Sequence, residues 1–375
     1  MISLARITLI REWRRFLPAI LAVGFAGLLV LVQLALLLGI FRTIAVYIDT
    51  SRADLWVGYP DTRSVDLARP ISTRNEVFLR AHPTVADVEA FDWSVGDVRR
   101  PDGSAALATV IGIDTRAGAL ALDRVVTPAQ RRALDEPDTI LVDMSSTANL
   151  AARLGTMLEV NGRRVKVVGL TRGLNAVGGA NLTASLATAR SLDTGAAPDQ
   201  VGYFLVKLRD PNAAARVRDE LAPRGVNRPY SVWTASEFSE MSQRYWLLES
   251  GLGLGFLFSG GIALCIGIVI TSQTLKSVVQ ASLREYATLR ALGISLRSLR
   301  LVVLEQSAWV GVIGVVLTVL ITLGIVRLAA VFHILVTAPG WAYAGTAGFI
   351  FTIALASGVL ALRALAQSEP ATLLR

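Results

Sequence analysis

Four long apolar stretches alternate with mixed polar and apolar sequence along this chain. They carry no charged residue over residues 16–41, 250–275, 306–326 and 328–362. A helix needs about 20 apolar residues to cross the hydrocarbon core of a bilayer. Each stretch therefore predicts one membrane span. Pro339 interrupts the fourth stretch, so the last span is placed near Trp341–Leu362.

Basic residues beside the apolar stretches predict how the spans are oriented. Segments 1–16 and 276–305 each carry a net charge of +3, and residues 363–375 add +1. Positive residues in short segments that flank spans mark the cytoplasmic side. These three segments are therefore predicted to lie in the cytoplasm, which places residues 43–248 on the outer side.

The chain then divides into three parts: residues 1–42 with a cytoplasmic amphipathic helix and the first span, an extracytoplasmic domain at 43–248, and spans two to four at 249–375. In the first part, Leu9, Trp13 and Phe16 recur at helical spacing apart from the arginines. This suits a helix that lies in the cytoplasmic interface of the membrane. The alternative is that these arginines simply flank the first span.

The pattern of the outer segment predicts an α+β fold. The predicted elements are a strand (53–59), a helix (73–81), two strands (85–99 and 105–114), and later a strand (202–208), a helix from 210 and a strand (229–233). This order predicts a split α+β sheet, interrupted by a β-rich insertion at about 115–200. The insertion is expected to project from the sheet, far from the membrane, and to meet a partner protein. The alternative is that it packs on the rest of the domain or across a dimer axis.

The clearest turn of the chain lies in this insertion. A strand is predicted at 139–144, followed by two strands at 157–160 and 163–170. Asn161-Gly162 joins the last two, and this pair favours the positive φ angles of a type I′ hairpin turn.

Composition excludes several classes of protein. Hydrophobic residues make up 53% and charged residues 18% of the chain, which is too apolar for a soluble globular protein. A single cysteine, Cys265, excludes a disulfide framework and CxxC sites. The formal charge of +8 does not indicate nucleic-acid binding, because residues 43–248 contain 24 Lys and Arg against 24 Asp and Glu.

No catalytic or ATP-binding motif is found in the sequence. A phosphate-binding loop needs Gly directly before its Lys, and the three lysines follow Val, Val and Leu. We therefore expect no enzyme activity and no cofactor in this chain. Any ATP must be bound by another subunit.

The loop between spans two and three contains the most informative motif. Residues 284–292 suit a short helix that ends before Gly293, and Ser295 can cap the next helix. Tyr286 and Leu289 would project together from this membrane-proximal helix. The alternative is that its apolar side rests on lipid.

Glycines along span two predict close contact between helices. Gly251 and Gly255 form a G-x-x-x-G pair, and Gly260, Gly261 and Gly267 add further small positions. Such positions let helices approach closely in membranes, so span two is predicted to help form a homodimer interface. The alternative is that these are the ordinary glycines of membrane helices.

The loop Arg284–Gly293 resembles the "RE-x-A-x-LRALG" element of FtsX/MacB-type ABC permeases, and its Glu285–Leu289 part is similar to the DevC-type branch. The resemblance continues over nearly the whole chain. Further matching segments are Val32-Gln33-Leu34, Arg52-Ala53-Asp54-Leu55-Trp56, Thr234-Ala235-Ser236-Glu237-Phe238, Tyr245-Trp246, Gly267-Ile268-Val269-Ile270 and Glu369-Pro370-Ala371. One span, a large outer domain and three further spans is also the family order.

The resemblance implies a multi-pass inner-membrane permease with its large domain in the periplasm. This domain would combine a split ferredoxin-like porter part with an inserted lobe. The permease would form a homodimer on a cytoplasmic ABC ATPase, and would work with a periplasmic membrane-fusion adaptor and a TolC-like outer-membrane duct. The residues implied in ATPase coupling are Arg284, Glu285, Tyr286, Ala287, Thr288, Leu289, Arg290 and Gly293.

The resemblance also implies a mechanism and an alternative to it. In mechanotransmission, ATP hydrolysis by the partner moves the spans and the outer domains, which expels a lipid, glycolipid or other hydrophobic substrate. The alternative function is an FtsX-like signalling scaffold that activates a periplasmic partner without transport. A lipoprotein-releasing relative is a third possibility.

Overall fold

The computed structural model describes residues 11–100, 103–175, 179–195, 197–223, 228–281, 295–331 and 338–367. They form two compact units. One unit runs from Gly39 to Gly253, and the other contains the described residues before Gly39 and after Gly253. The outer domain and the membrane helices are therefore described separately.

The α-helices and strands are as follows. The helices are α1 (Trp13–Asp49), α2 (Asn75–Arg80), α3 (Pro128–Ala133), α4 (Thr147–Leu150), α5 (Leu186–Leu192), α6 (Ala214–Leu221), α7 (Ala235–Arg244), α8 (Leu252–Ala281), α9 (Leu296–Val331) and α10 (Gly340–Gln367). The strands are β1 (Leu55–Gly58), β2 (Ile71–Ser72), β3 (Val85–Arg99), β4 (Ala105–Ile113), β5 (Thr139–Asp143), β6 (Met157–Val160), β7 (Arg163–Thr171), β8 (Ala180–Ser185), β9 (Gln200–Val201), β10 (Tyr203–Leu208) and β11 (Ser231–Thr234).

Four described helices are long and apolar enough to cross a membrane: α1, α8, α9 and α10. Each covers one of the predicted spans, except that α8 begins two residues after position 250, and the prediction of four spans is confirmed. Phe16, however, is fully buried among apolar residues of α1, α9 and α10. It does not lie in a separate interfacial helix, because α1 is continuous from Trp13.

The porter part of the outer domain is the four-stranded antiparallel sheet β11-β1-β10-β3. Helix α2 connects β1 to β3, and α6 connects β10 to β11. This β-α-β-β-α-β order is that of a ferredoxin-like fold, and it confirms the predicted split sheet. Leu79 of α2 and Val217 of α6 cover one face of the sheet with other buried apolar residues.

Aromatic side chains fill the opposite face of the porter sheet. The ring of Trp56 lies 5.3 Å from that of Phe91 and 5.6 Å from that of Tyr203, and Trp233 stacks on Phe238 at 4.8 Å. Residues 46–48 at the end of α1 belong to the same core. Large aromatic rings bury much apolar surface, so this cluster fixes α1, β1 and α7 together.

The inserted lobe is a closed six-stranded barrel. Its strands pair in the cycle β3-β4-β8-β5-β7-β6, and β6 returns to β3 through Val98↔Val160 and Arg99↔Glu159. Strand β3 serves both parts, because residues 85–91 pair with β10 and residues 92–99 pair with β4. The lobe therefore begins within β3, and the predicted boundary near residue 115 is too late.

The predicted hairpin is confirmed in the barrel. Met157–Val160 pairs with Arg163–Thr171, and Asn161 and Gly162 have φ angles of 49° and 82°. Both values lie in the left-handed region that a type I′ turn requires.

Candidate functional site

The residues implied in ATPase coupling, Arg284 to Gly293, lie outside the described residues. The helices on either side of them are described: α8 ends at Ala281 and α9 begins at Leu296. Ser295 precedes α9, and its Oγ accepts a hydrogen bond from the backbone N–H of Ser298 at 3.2 Å. The predicted helix cap at Ser295 is therefore confirmed.

Small residues bring α1 and α9 close together. A methyl group added at Gly24 would lie 2.9 Å from Cδ2 of Leu317, and one at Gly314 would lie 2.5 Å from Cγ1 of Val23. The hydroxyl of Thr318 lies 3.0 Å from the carbonyl oxygen of Gly24, within hydrogen-bond distance. Close packing and hydrogen bonds between helices hold membrane bundles together, so this contact is a stable part of the bundle.

Helix α8 contacts α1 at a few small or polar positions. Nε2 of Gln33 donates to Oγ of Ser259 at 2.7 Å. A methyl group at Gly267 would lie 2.5 Å from Cβ of Ala26, and one at Gly260 would lie 2.9 Å from Oε1 of Gln33. Two of the predicted dimer glycines therefore pack against α1 of the same chain.

The other predicted dimer glycines have different surroundings. A methyl group at Gly255 or Gly261 would meet none of the described atoms within 4 Å. Gly251 has a φ of 82°, so the backbone conformation between Glu249 and α8 accounts for glycine there. The dimer interface on span two stays a prediction. Gly255 and Gly261 are the predicted positions that have room for a contact with a second copy of the chain.

In the outer domain, the end of α1 is held by hydrogen bonds from two directions. The hydroxyl of Ser239 on α7 donates to Oδ1 of Asp49 at 2.9 Å, and Nη1 of Arg124 donates to the Asp49 carbonyl oxygen at 3.2 Å. Arg52 donates through Nη2 to the carbonyl oxygen of Gly118 at 2.9 Å. The chain that leaves the first span is therefore tied both to α7 and to the segment before α3.

The segment that leads into the second span is also anchored. Tyr245–Glu249 forms a π-helical turn after α7. Within it, Nε1 of Trp246 donates to Oδ1 of Asp66 at 3.1 Å. The hydroxyl of Ser242 accepts from the backbone N–H of Val65 at 3.2 Å. Both ends of the outer domain that continue into spans are thus fixed to its core.

A buried carboxylate connects β3 to the segment before α3. Glu89 accepts hydrogen bonds from the backbone N–H groups of Leu120 and Ala121, the latter at 3.1 Å. Burial raises the pKa of the Glu89 carboxyl, an effect that these two hydrogen bonds partly offset. Nη2 of Arg116 lies 3.9 Å from Oε2 of Glu89.

The sequence did not single out Glu89 or the Asp49–Ser239 contact. Glu89 lies on the same side of β3 as the buried Phe91, two residues away, and a carboxylate at such a position is a signal of a buried polar contact. The Asp49–Ser239 pair is separated by 190 positions, and it carries no local signal.

The segments that match family motifs have clear structural roles. Trp56 and Phe238 meet in the aromatic core at 5.7 Å between ring centroids. Asp54 accepts from Nζ of Lys207 at 3.0 Å and from the backbone N–H of Leu208 at 2.8 Å. Thr234 forms a capping box with Glu237 at the start of α7.

The described residues contain no group of three or more His, Cys, Asp or Glu side chains placed to hold a metal ion. The molecule combines four apolar helices with a large folded domain between the first two. This arrangement defines a multi-pass membrane protein with a large domain between its first two spans.

Comparison with known proteins gives the family. A model described as the MacB-like periplasmic core domain matches residues 16–224, more than half of the chain. A second, described as the FtsX-like permease C-terminal domain, matches residues 257–370. The chain therefore belongs to the FtsX/MacB-like family of ABC-transporter permeases. It is an inner-membrane protein whose large domain lies in the periplasm, and the family implies an ABC ATPase partner.

Solved structures similar to this chain are domains of such proteins. The periplasmic region of MacB from Actinobacillus actinomycetemcomitans is 16% identical, with 52% of this chain and 94% of that chain covered and a TM-score of 0.35. The extracellular domain of the noncanonic ABC-type transporter YknZ from Gram-positive bacteria is 15% identical, with 48% and 99% covered and a TM-score of 0.32. A domain of a permease protein from Porphyromonas gingivalis is 14% identical, with 50% and 89% covered and a TM-score of 0.32. No curated protein matches the chain.

Proposed function

We propose that this chain is the permease subunit of an ABC exporter of the mechanotransmission type. A separate ATPase would bind ATP and contact the segment Arg284–Gly293. Its cycle would move the spans and, through them, the outer domains of a permease homodimer. A lipid, glycolipid or other hydrophobic substrate would be expelled through a periplasmic adaptor and a TolC-like outer-membrane duct.

The anchoring at both ends of the outer domain supports this proposal. Asp49 is bound by Ser239, and Trp246 is bound to Asp66. The two tied segments continue directly into the first and second spans along the chain. Because they are fixed to the core of the outer domain, a displacement of the spans would move that domain instead of unwinding a loop.

The proposal is tested by measuring the spacing of the outer domains during the ATPase cycle. Leu154, which is 69% exposed on the barrel, is replaced by Cys for spin labelling in a Cys265→Ser background. The permease is reconstituted with its co-purified ATPase, and the distance between labels on the two copies is measured with and without trapped ATP. We expect the distance to change. An identical distance in both states would contradict mechanotransmission.

Variants of α7 and of the π-helical turn that follows it test the anchoring itself. The double variant Ser239→Ala with Trp246→Phe removes both donors and keeps the buried surface largely intact. We expect it to retain ATP hydrolysis but to lose most of the distance change. Ser236→Ala is the control, because Ser236 is an exposed residue of the same helix. Equal distance changes in all three proteins would contradict a role for these contacts.

Co-purification separates export from signalling. An exporter should retain an adaptor on its periplasmic domain, whereas an FtsX-like scaffold should retain a cell-wall hydrolase. Recovery of a hydrolase, with no adaptor, would favour the signalling function.

A further inference from the structure

A cavity of about 330 Å³ opens in the outer domain where β3 passes from the porter sheet into the barrel. The segment before β2, strand β3, helix α5 and the segment before β10 surround it. Trp93 and Val95 line it, and they also line a second cavity of about 130 Å³. Ligand sites are concave pockets of about 300–1,000 Å³ with a few placed polar groups, and the first cavity falls in this range.

The acidic side chains of the larger cavity are already engaged. Asp92 accepts from the backbone N–H of Gly202 at 2.9 Å and from Nε of Arg190 at 3.0 Å. Asp193 accepts from the backbone N–H of Gly195 at 2.9 Å. These carboxylates hold the walls of the cavity together.

Several donors of the same cavity are unengaged. Within the described part of the chain, neither Nη atom of Arg190 has a partner. Arg69 contacts only the ring of Tyr59 there, with Cζ at 5.4 Å from the centroid. The guanidinium groups of Arg69 and Arg190, which line the cavity, are therefore available to a ligand that supplies acceptors.

We propose that this cavity binds an organic anion. Arg69 and Arg190 would hold its carboxylate or phosphate group, because the guanidinium fork matches both groups in two parallel hydrogen bonds. The apolar part of the ligand would lie against Trp93 and Val95 and reach toward the second cavity. Ile44, Leu107 and Trp246 line that cavity, together with the polar residues Thr43, Asp66, Thr109 and Asn175. Its volume is close to that of a cavity that accepts one aromatic ring. Binding does not depend on ATP, so the inference stands apart from the proposed export function.

Calorimetric titration of the full-length chain in nanodiscs tests the proposal. The probes are octanoate, octyl phosphate, inorganic phosphate and octanol, and the heat with empty nanodiscs is subtracted. We expect saturable binding of octanoate, octyl phosphate or both, at one site per chain. Octanol and inorganic phosphate should bind at least tenfold more weakly, because each lacks one part of the ligand.

The outcomes separate the sources of the anion. Binding of octanoate alone identifies a carboxylate ligand, and binding of octyl phosphate alone identifies a phosphate ligand. Inorganic phosphate binding as tightly as octyl phosphate would overturn the apolar part of the site. Heats equal to those of empty nanodiscs, or octanol binding as tightly as the anions, would overturn the proposal.

Variants assign the binding to this cavity. Arg69→Gln removes a guanidinium that pairs with no described carboxylate, and it should weaken anion binding about tenfold without changing the thermal midpoint. Arg190→Lys keeps a charge beside Asp92 but loses the fork, and it should also weaken binding. Arg153→Gln, at an exposed position of the barrel, is the control. Unchanged affinity in both cavity variants would overturn the assignment.

Discussion

At the scale of single residues, Glu89 is the most unusual group of the outer domain. Its carboxylate is buried and accepts two backbone hydrogen bonds from the segment before α3. Desolvation disfavours its charged form, and its pKa is raised for this reason. The contact therefore joins β3 to that segment, and the free-energy cost of burying the carboxylate depends on pH.

Replacing Glu89 by Gln should change how stability depends on pH. A raised folded-state pKa means that the folded protein binds the proton more tightly than the unfolded chain. The contribution of Glu89 to stability is therefore fully present below its unfolded pKa, about 4.3, and it is lost as the pH rises through the folded value. Relative to the natural protein, Glu89→Gln should therefore gain stability as the pH rises from 4 to 7.5.

Thermal unfolding at several pH values in this range measures the effect. Asp135→Asn, at an exposed position, is a control for the removal of one acidic group. A stability difference between Glu89→Gln and the natural protein that is constant from pH 4 to pH 7.5 would contradict the argument.

The sequence identifies some of these residues better than others. Trp56 and Phe238 stand in segments that match family motifs, and both lie in the aromatic core. Glu89, Asp92 and Asp49 stand in no such motif. Their partners are distant in sequence, for example Gly202 for Asp92, so their roles depend on tertiary contacts that a local pattern does not contain.

At the scale of elements, the β6–β7 hairpin is more than a turn. Oδ1 of Asn161 accepts from the backbone N–H of Asp97 at 2.8 Å, and its Nδ2 donates to the carbonyl oxygen of Leu192 at 2.8 Å. The same residue therefore supplies a positive φ angle and joins the hairpin to β3 and α5.

Asn161→Gly should lower the free energy of unfolding by about 1–3 kcal/mol, the sum expected for two lost hydrogen bonds. Glycine keeps the turn conformation, so the loss reports on the side-chain contacts. Asn161→Asp retains the acceptor but loses the donor. Its free energy of unfolding should lie between those of the natural protein and Asn161→Gly. Chemical denaturation measures the order. Equal stability of all three proteins would show that the turn alone matters.

The coupling segment gives a second prediction at this scale. Replacing both Tyr286 and Leu289 by Ala should lower transport and permease-stimulated ATP hydrolysis, because these side chains are the proposed contact with the ATPase. Membrane insertion should be unchanged. Ser295→Ala is the control, since it removes only the cap of α9. Unchanged stimulation of ATP hydrolysis in the double variant would favour the alternative, in which the apolar side of the predicted helix at 284–292 rests on lipid.

The spans and the hairpin could be predicted from sequence, because each has a strong local pattern. Strand β3 coincides with its predicted range of residues 85–99, and the span helices cover their predicted segments apart from residues 250 and 251. Helices α3 and α5 and strand β8 were not predicted, and β8 is buried at nearly every position, so it lacks the polar and apolar alternation that marks a half-buried strand. The closed barrel could not be predicted, since it depends on β6 returning to β3 across 60 residues.

At the scale of the whole molecule, α8 carries both packed and open small residues. Its Gly260 and Gly267 pack on α1, whereas Gly255 and Gly261 meet none of the described atoms. We therefore expect the dimer contact on the side of α8 that faces away from α1.

Cysteine crosslinking along α8 tests this contact in a Cys265→Ser background. Cysteines at Gly255, Phe258 and Ile262 should form dimers, because these positions follow one another at helical spacing and are not packed on α1. Cysteines at Gly260 and Ala263 should not. Dimers at neither set of positions, or dimers at all of them alike, would contradict the assignment.

The closed barrel has a consequence for how other proteins can recognise the outer domain. Each of its six strands already has two neighbours, so no free row of backbone groups is left for an incoming strand to join. A partner that binds the barrel must therefore recognise its side chains and not unpaired backbone groups of its strands. Its specificity can then change through single surface substitutions without disturbing the fold. An extended peptide that adds itself to a sheet would instead have to use an edge outside the barrel, such as β11, the outer strand of the porter sheet.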